Sequence, residues 1–472
     1  MRGENRYLGV SPLLGAPSFL DSFSTIETIL ILGLVALAGF SLAAIAFRLR
    51  PRWMLAGTLV LAVVQFFGPF GFTSLGLLAT CALLPGVAWR FWRQGAGVWG
   101  WLLASLTVWQ LISTLWAEKI GSAGYGVVLS VAGLVSYLLA RELMHSDRAG
   151  IPWALAVVAP VIIAQATLTV IFRLSPDAEY AYLTSRIATI FTEPGVEEVI
   201  SGAWPNVMDP DKAGGVFLNG NTASLFFAVT ACLFVWTAAS KKLVALHIVT
   251  AGVSFIAMLA TGSKTPYALV LVVPLVALFL VLAVRKPREA IVVASSGLVL
   301  ASAAATAVVV VRPGILSQTA RTLSERFGLW QMVGDAVPER WFTGFGYGNW
   351  REWVVYTWDD YFPHMGPQVW PPHNLFLQAW VDAGLIALAL TIALVTLPIV
   401  ASIRRIAEAH TAPLLSAVTV RRAIVFAGLV WVLFHGMADT TSFLGDNHTI
   451  PFVAILTAVA LAPRPAERSA TP

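Results

Sequence analysis

The chain has 472 residues, 58% hydrophobic and only 12% charged, with a mean hydropathy of +0.78. A soluble domain carries about 25% charged residues, so this composition excludes a soluble enzyme, a disordered chain and a nucleic-acid binder. The formal charge of +5 and the pI near 9.3 read as basic loops on one side of a membrane.

The apolar runs are continuous and about 17–25 residues long, the length a membrane helix needs. Barrel strands would alternate polar and apolar residues instead. The expected fold is all-α, a polytopic transmembrane helical bundle of about 12–13 spans. Spans are expected near 26–47, 53–69, 71–89, 97–116, 123–141, 151–173, 216–239, 243–261, 265–284, 289–311, 375–400, 421–438 and 449–463. The second and third are separated only by Phe67-Gly68-Pro69-Phe70-Gly71, a tight turn or a kink in one element. Residues 1–24 hold no continuous apolar core before a cleavage site, so no cleaved leader is expected. Cys81 and Cys232 both fall inside apolar runs, which speaks against a disulfide framework or a thiolate zinc site.

The spans group into N-terminal helices (1–173), a first long loop (174–215), central helices (216–311), a large loop (312–374) and C-terminal helices (375–472). Arg48, Arg50, Arg52, Arg90, Arg93, Arg141, Arg148, Lys241, Lys242, Arg285, Lys286, Arg288, Arg404, Arg405, Arg421, Arg422, Arg464 and Arg468 all fall on one side, read as cytoplasmic. Of the 25 acidic residues, only Glu142, Asp147, Glu289, Glu408 and Glu467 share that side. Both long loops therefore lie outside, and long ordered loops are usually functional.

In the large loop, Leu323, Phe327, Trp330 and Val337 recur at helical spacing, which suits an amphipathic helix on the outer surface. The stretch Trp341-Phe342-Thr343-Gly344-Phe345-Gly346-Tyr347-Gly348-Asn349-Trp350 alternates glycine with bulky residues, a turn that backbone or ligand can approach closely. With Trp353, Trp358 and Trp370 it makes either an interfacial aromatic belt or a platform for sugar rings. In Pro371-Pro372-His373-Asn374 the prolines force an extended approach and Asn374 is a good N-cap. His373 then stands at the outer start of a membrane helix, where the helix dipole disfavours imidazolium. A neutral imidazole there can accept a proton from a hydroxyl; a capping or interfacial packing role is the alternative.

Three cations share that edge: Lys212 before one span, Lys264 in Gly262-Ser263-Lys264-Thr265 between two, and Arg326 on the surface helix. Together they could cage a diphosphate; singly, each reads as a snorkelling or loop charge. His435 and Asp439, with Asp446 and His448, are weighed as metal ligands but lack an established spacing. No nucleotide fingerprint, serine elbow or zinc-protease motif occurs.

These residues resemble the O-antigen ligase and polymerase superfamily of bacterial membrane glycosyltransferases. The resemblance is carried by Ser113-Thr114-Leu115-Trp116, by Gly215-Val216-Phe217-Leu218-Asn219-Gly220-Asn221, by Ser263-Lys264, and by Arg326 with Trp330, the Gly344–Gly348 run, His373-Asn374 and Gly384. It covers roughly residues 100–400. It implies a C-type glycosyltransferase-like bundle with a large helical periplasmic loop in the bacterial inner membrane. It implies a donor glycan on undecaprenyl diphosphate, and an acceptor hydroxyl on lipid A core, a lipid-linked repeat or a protein. No cofactor or metal is implied. His373 would be the catalytic base, and Lys212, Lys264 and Arg326 would hold the diphosphate. Asn219, Asn221, Ser263, Trp330, Tyr347, Trp350 and Asn374 would support substrate. Lysine stands at two positions where the family often has arginine, which keeps charge but loses bidentate binding. A transporter or flippase for a lipid-linked sugar is the competing reading. Transporters place charge at the midplane, whereas here the spans are nearly free of internal charge.

Overall fold

The computed structural model describes residues 50–66, 74–91, 95–192, 209, 211–239, 243–311, 314–365, 370–439 and 446–462. Among them there are helices and loops but no strand. The first helices are α1 (Pro51–Val64), α2 (Leu75–Ala82), α3 (Leu84–Phe91), α4 (Gly97–Ser113), α5 (Ile120–Ser146) and α6 (Gly150–Leu174). Two short helices, α7 (Pro176–Leu183) and α8 (Ala188–Phe191), precede the central group α9 (Gly220–Ala238), α10 (Val244–Ala260), α11 (Lys264–Arg285) and α12 (Pro287–Val311). The large loop supplies α13 (Gly314–Arg340) and α14 (Trp350–Tyr361). The chain then forms α15 (Leu375–Glu408), α16 (Ala417–Ala438) and α17 (Ile450–Leu461).

Sequence signals set many of the starts. Ser74, Asn219, Asn374 and Ser416 each accept a backbone N–H of the following turn, which satisfies donors that a helix start leaves free. Pro51 and Pro176 occupy first-turn positions, where a missing N–H costs nothing.

Seven described helices are long and apolar enough to cross a membrane: those from Gly97, Gly124, Gly150, Gly220, Lys264, Leu375 and Ala417. Four expected spans are instead shorter apolar helices, Pro51–Val64, Leu75–Arg90, Val244–Ala260 and Ile450–Leu461. The 26–47 span lies outside the described residues. The Phe67–Gly71 turn or kink lies outside the described residues; the helices on either side, α1 and α2, are held together where Leu75 N–H and Gly76 N–H donate to the Phe66 and Gln65 carbonyls at 3.0 and 2.8 Å.

The case of α17 explains the difference. Its twelve residues measure about 18 Å, short of a hydrocarbon core, and residues 450–460 are all buried. It packs against α5, α16, α15 and α9. Its all-round hydrophobicity is satisfied by protein, as in any buried core helix.

The large loop folds around its own aromatic core. Leu329, Met332, Val333, Trp350, Val354 and Trp358 are buried together with Val381 of α15. Tyr361 Oη donates to Asp335 Oδ2 at 2.7 Å, joining α14 to α13. The apolar stripe of α13 differs from the expected one: Leu323 and Phe327 stay exposed, and residues 329, 332, 333, 336 and 337 are inside. Among the described residues, the α13/α14 core gathers its buried side chains from Leu329 onward.

Candidate active site

His373 has φ 49, a left-handed conformation that costs a non-glycine residue about 1–2 kcal/mol. Its neighbours fix it. Asn374 Oδ1 accepts from Phe376 and Leu377 N–H at 2.9 and 3.2 Å, starting α15 immediately after the histidine. Trp330 Nε1 donates to the Pro372 carbonyl at 2.9 Å, which ties α13 to this corner. Arg326, half-buried, stands one turn before Trp330 on the same face of α13.

Asp439 closes α16 and is 6% exposed. Its Oδ1 lies 3.5 Å from His373 Nδ1, and its Oδ2 accepts from Asn221 Nδ2 at 2.7 Å. Asn221 sits in the first turn of α9, whose cap Asn219 accepts the Asn221 N–H at 2.8 Å. Ser224, one turn further, donates to the Asn221 carbonyl at 2.7 Å and faces His435 Nε2 at 3.3 Å. A buried carboxylate needs such partners. The sequence had set Asp439 aside as a metal ligand; its role toward His373 emerges only from the packing of α16 against α9 and α15.

The two lysines meet because two loops interlock. Ala213 N–H donates to the Thr261 carbonyl at 3.1 Å. Gly262, at φ 70, leaves room for the Asp211 carbonyl, which a Cβ there would meet at 1.8 Å. Burial pushes the Lys212 ammonium below the ordinary value of 10.5. Asp209 and Asp439 oppose that, and Lys264 reinforces it. Lys264 is exposed at the first position of α11. Its N-cap Ser263 is buried, with an Oγ that has no hydrogen-bond partner among the described residues. Gln165 holds the other side of this segment: its Nε2 donates to the Gly214 carbonyl at 2.9 Å and its Oε1 accepts the Val216 N–H at 3.1 Å. A lone glutamine within an apolar run was the signal that could have found it.

The glycine-rich stretch docks into a break in α15. Ala383 and Gly384 leave helical geometry, with Gly384 at φ 73. The backbone groups freed there find partners in that stretch and on α4. Phe345 N–H donates to the Val381 carbonyl at 2.8 Å, and Leu385 N–H to the Trp341 carbonyl at 3.1 Å. Trp109 Nε1 donates to the Ala383 carbonyl at 2.6 Å. Asp382 carries both ends of the joint, accepting Gly348 N–H at 3.1 Å and Gln378 Nε2 at 2.7 Å. Tyr347 turns inward against Gly126 of α5, and Trp350 is fully enclosed, stacked on Trp353 with ring centroids 5.0 Å apart. These two aromatics anchor the loop. Trp341 and Phe342 are the exposed ones.

The four residues weighed as metal ligands are otherwise engaged. His448 stacks on Phe217 at 3.7 Å with Nδ1 on the Ala62 carbonyl at 2.7 Å. Asp446 accepts the N–H groups of His448 and Thr449. Among the described residues no three His, Cys, Asp or Glu side chains form a metal-binding group.

The result is one corner of the bundle holding an imidazole, a carboxylate beside it, two lysines and the starts of α9, α11 and α15. Helix N-termini and cations favour anions. Residues 249–392, from α10 to the middle of α15, match the family model described as O-Antigen ligase. That match supports the O-antigen ligase/polymerase superfamily for this chain. No curated protein and no solved structure matches it. Its apolar helices point to a multi-pass membrane protein, and the match supports a glycan-ligating or glycan-polymerising membrane enzyme. The matched segment contains Lys264, Arg326, Trp330, His373 and Asn374; Lys212, Asn219, Asn221 and Asp439 lie outside it.

Proposed function

We propose that the protein transfers a glycan from undecaprenyl diphosphate to a sugar hydroxyl at the periplasmic face of the bacterial inner membrane, without a metal. The observation that carries this reading is the Asn221–Asp439–His373 chain beside Lys212 and Lys264. Asp439 Oδ1, 3.5 Å from Nδ1, is placed to orient the ring, leaving Nε2 to take the proton of the acceptor hydroxyl. The acceptor oxygen then bonds to the anomeric carbon as the bond from that carbon to the diphosphate oxygen breaks. Lys212, Lys264 and Arg326 bind the departing diphosphate and stabilise its charge.

The test is transfer by purified protein from a lipid-linked glycan to an acceptor. His373→Ala is expected to abolish it while the protein stays folded, and chelators are expected to leave the wild type active. Near-normal turnover by His373→Ala would end the proposal. The lipid-linked glycans of cells lacking the protein separate the subtypes. Single repeats on the lipid mark a polymerase, and long finished chains on the lipid mark a ligase. Repeats trapped on the cytoplasmic leaflet would favour a flippase instead.

A further inference from the structure

The end of the bundle opposite His373 holds a cavity of about 330 Å³, formed where α5, α9, α15, α16 and the close of α17 come together. Four arginines line it, Arg148, Arg405, Arg421 and Arg422, against one carboxylate, Glu408. Arginine keeps its charge in every protein environment, so this wall carries an excess of like charge. Arg148 and Arg421 lie within each other's electrostatic reach. Arg422 is pinned to the Arg405 carbonyl, and Arg405 to the Ala462 carbonyl. Arg421 lies over the Trp236 ring, 4.9 Å from its centroid, which fixes the guanidinium plane at the wall.

Two donors at this wall are left over. Arg421 Nε and Ser402 Oγ are buried and have no hydrogen-bond partner among the described residues, and Ser402 is 2% exposed. Native proteins rarely leave such groups without a partner. Orphaned donors amid surplus guanidinium charge call for an anion with several acceptor oxygens, and a phosphate group matches the arginine fork. The remaining wall is partly apolar, with Val418, Val425 and Val459. From Leu375 to Arg405, α15 runs about 45 Å, so the cavity sits at the far interface of the bilayer, at headgroup level. Basic pockets between membrane helices bind anionic headgroups in this way.

We propose that this cavity is a phosphate-binding site, and that its occupant is the phosphodiester headgroup of an anionic phospholipid. The experiment uses the full chain in detergent. Retained phosphatidylglycerol and phosphatidylcholine are counted by native mass spectrometry, and the unfolding midpoint is followed on adding each lipid or inorganic phosphate. Wild type is expected to retain phosphatidylglycerol preferentially and to be stabilised by it. Arg148→Gln, an exposed position that packing does not need, and Arg421→Gln are each expected to weaken that retention about tenfold. Arg288→Gln, exposed at the start of α12, controls for general surface charge and is expected to leave it unchanged. If millimolar inorganic phosphate reproduces the stabilisation and displaces the lipid, the site stands and its source is soluble phosphate. Equal retention of both lipids, unaltered in Arg148→Gln and with no response to phosphate, overturns the proposal.

Discussion

His373 Nδ1 lies 3.5 Å from Asp439 Oδ1, joining the start of α15 to the end of α16. The carboxylate is held from its other oxygen by Asn221 at 2.7 Å, so its position depends on three helices. A general base contributes about 10²–10⁴ in rate, and an orienting partner contributes about 10–100-fold by analogy with other carboxylate–histidine pairs. His373→Ala is expected to lower kcat by at least about 100-fold. Asp439→Asn is expected to lower it about 10–100-fold with little change in KM. Steady-state kinetics with a lipid-linked donor checks both; an unchanged kcat in Asp439→Asn removes the orienting role.

The break in α15 makes a second prediction. A Cβ on Gly384 would meet the Phe342 carbonyl at 1.8 Å, at φ 73. Overpacking costs about 1–3 kcal/mol and the left-handed backbone about 1–2 more. Gly384→Ala should therefore lower the unfolding midpoint sharply and release the glycine-rich loop to proteolysis. Gly252, inside α10, has nothing within 4 Å of its Cβ position. Gly252→Ala is the control, expected to be neutral or to stabilise by up to about 1 kcal/mol.

Lys212 trades stability for binding. Burial, its largest influence, lowers its pKa below 10.5, so the folded protein disfavours the charged form. The unfolded chain binds the proton more readily, and stability therefore rises with pH as the pH climbs from the lowered folded value through 10.5. Below the lowered folded value the penalty is fully present. Lys212→Met is expected to raise the neutral-pH unfolding midpoint of the ligand-free protein while weakening donor binding. A melting series from pH 7 to 10, paired with donor titration, reads both. A lower midpoint at neutral pH would contradict the burial argument.

Glu179 on α7 gives a pH dependence of opposite sign. It is 3% exposed, and burial, reinforced by Asp209, raises its pKa from 4.5 to about 7. The folded protein thus holds a proton that the unfolded chain releases. That contribution is fully present below pH 4.5 and is lost as the pH rises through about 7. Glu179→Gln should raise the midpoint above pH 7, and the gain should vanish below pH 4.5. A gain constant across that range would show that the carboxyl does not titrate in the fold.

Hydropathy and caps alone determined the helical membrane class, and the start of α15 at Asn374 with His373 just ahead of it. Both are local: an apolar run needs an apolar surrounding, and a side-chain oxygen satisfies the next turn's N–H groups. Hydropathy does not distinguish lipid from protein as that surrounding, so α17 was expected to span although its neighbours bury it. The inward Tyr347, the enclosed Trp350 and the joint at Gly384 likewise follow from what packs against them. Tertiary structure alone decided that Asp439 comes between Asn221 and His373, because three helix ends distant in the chain must dock before these groups can meet.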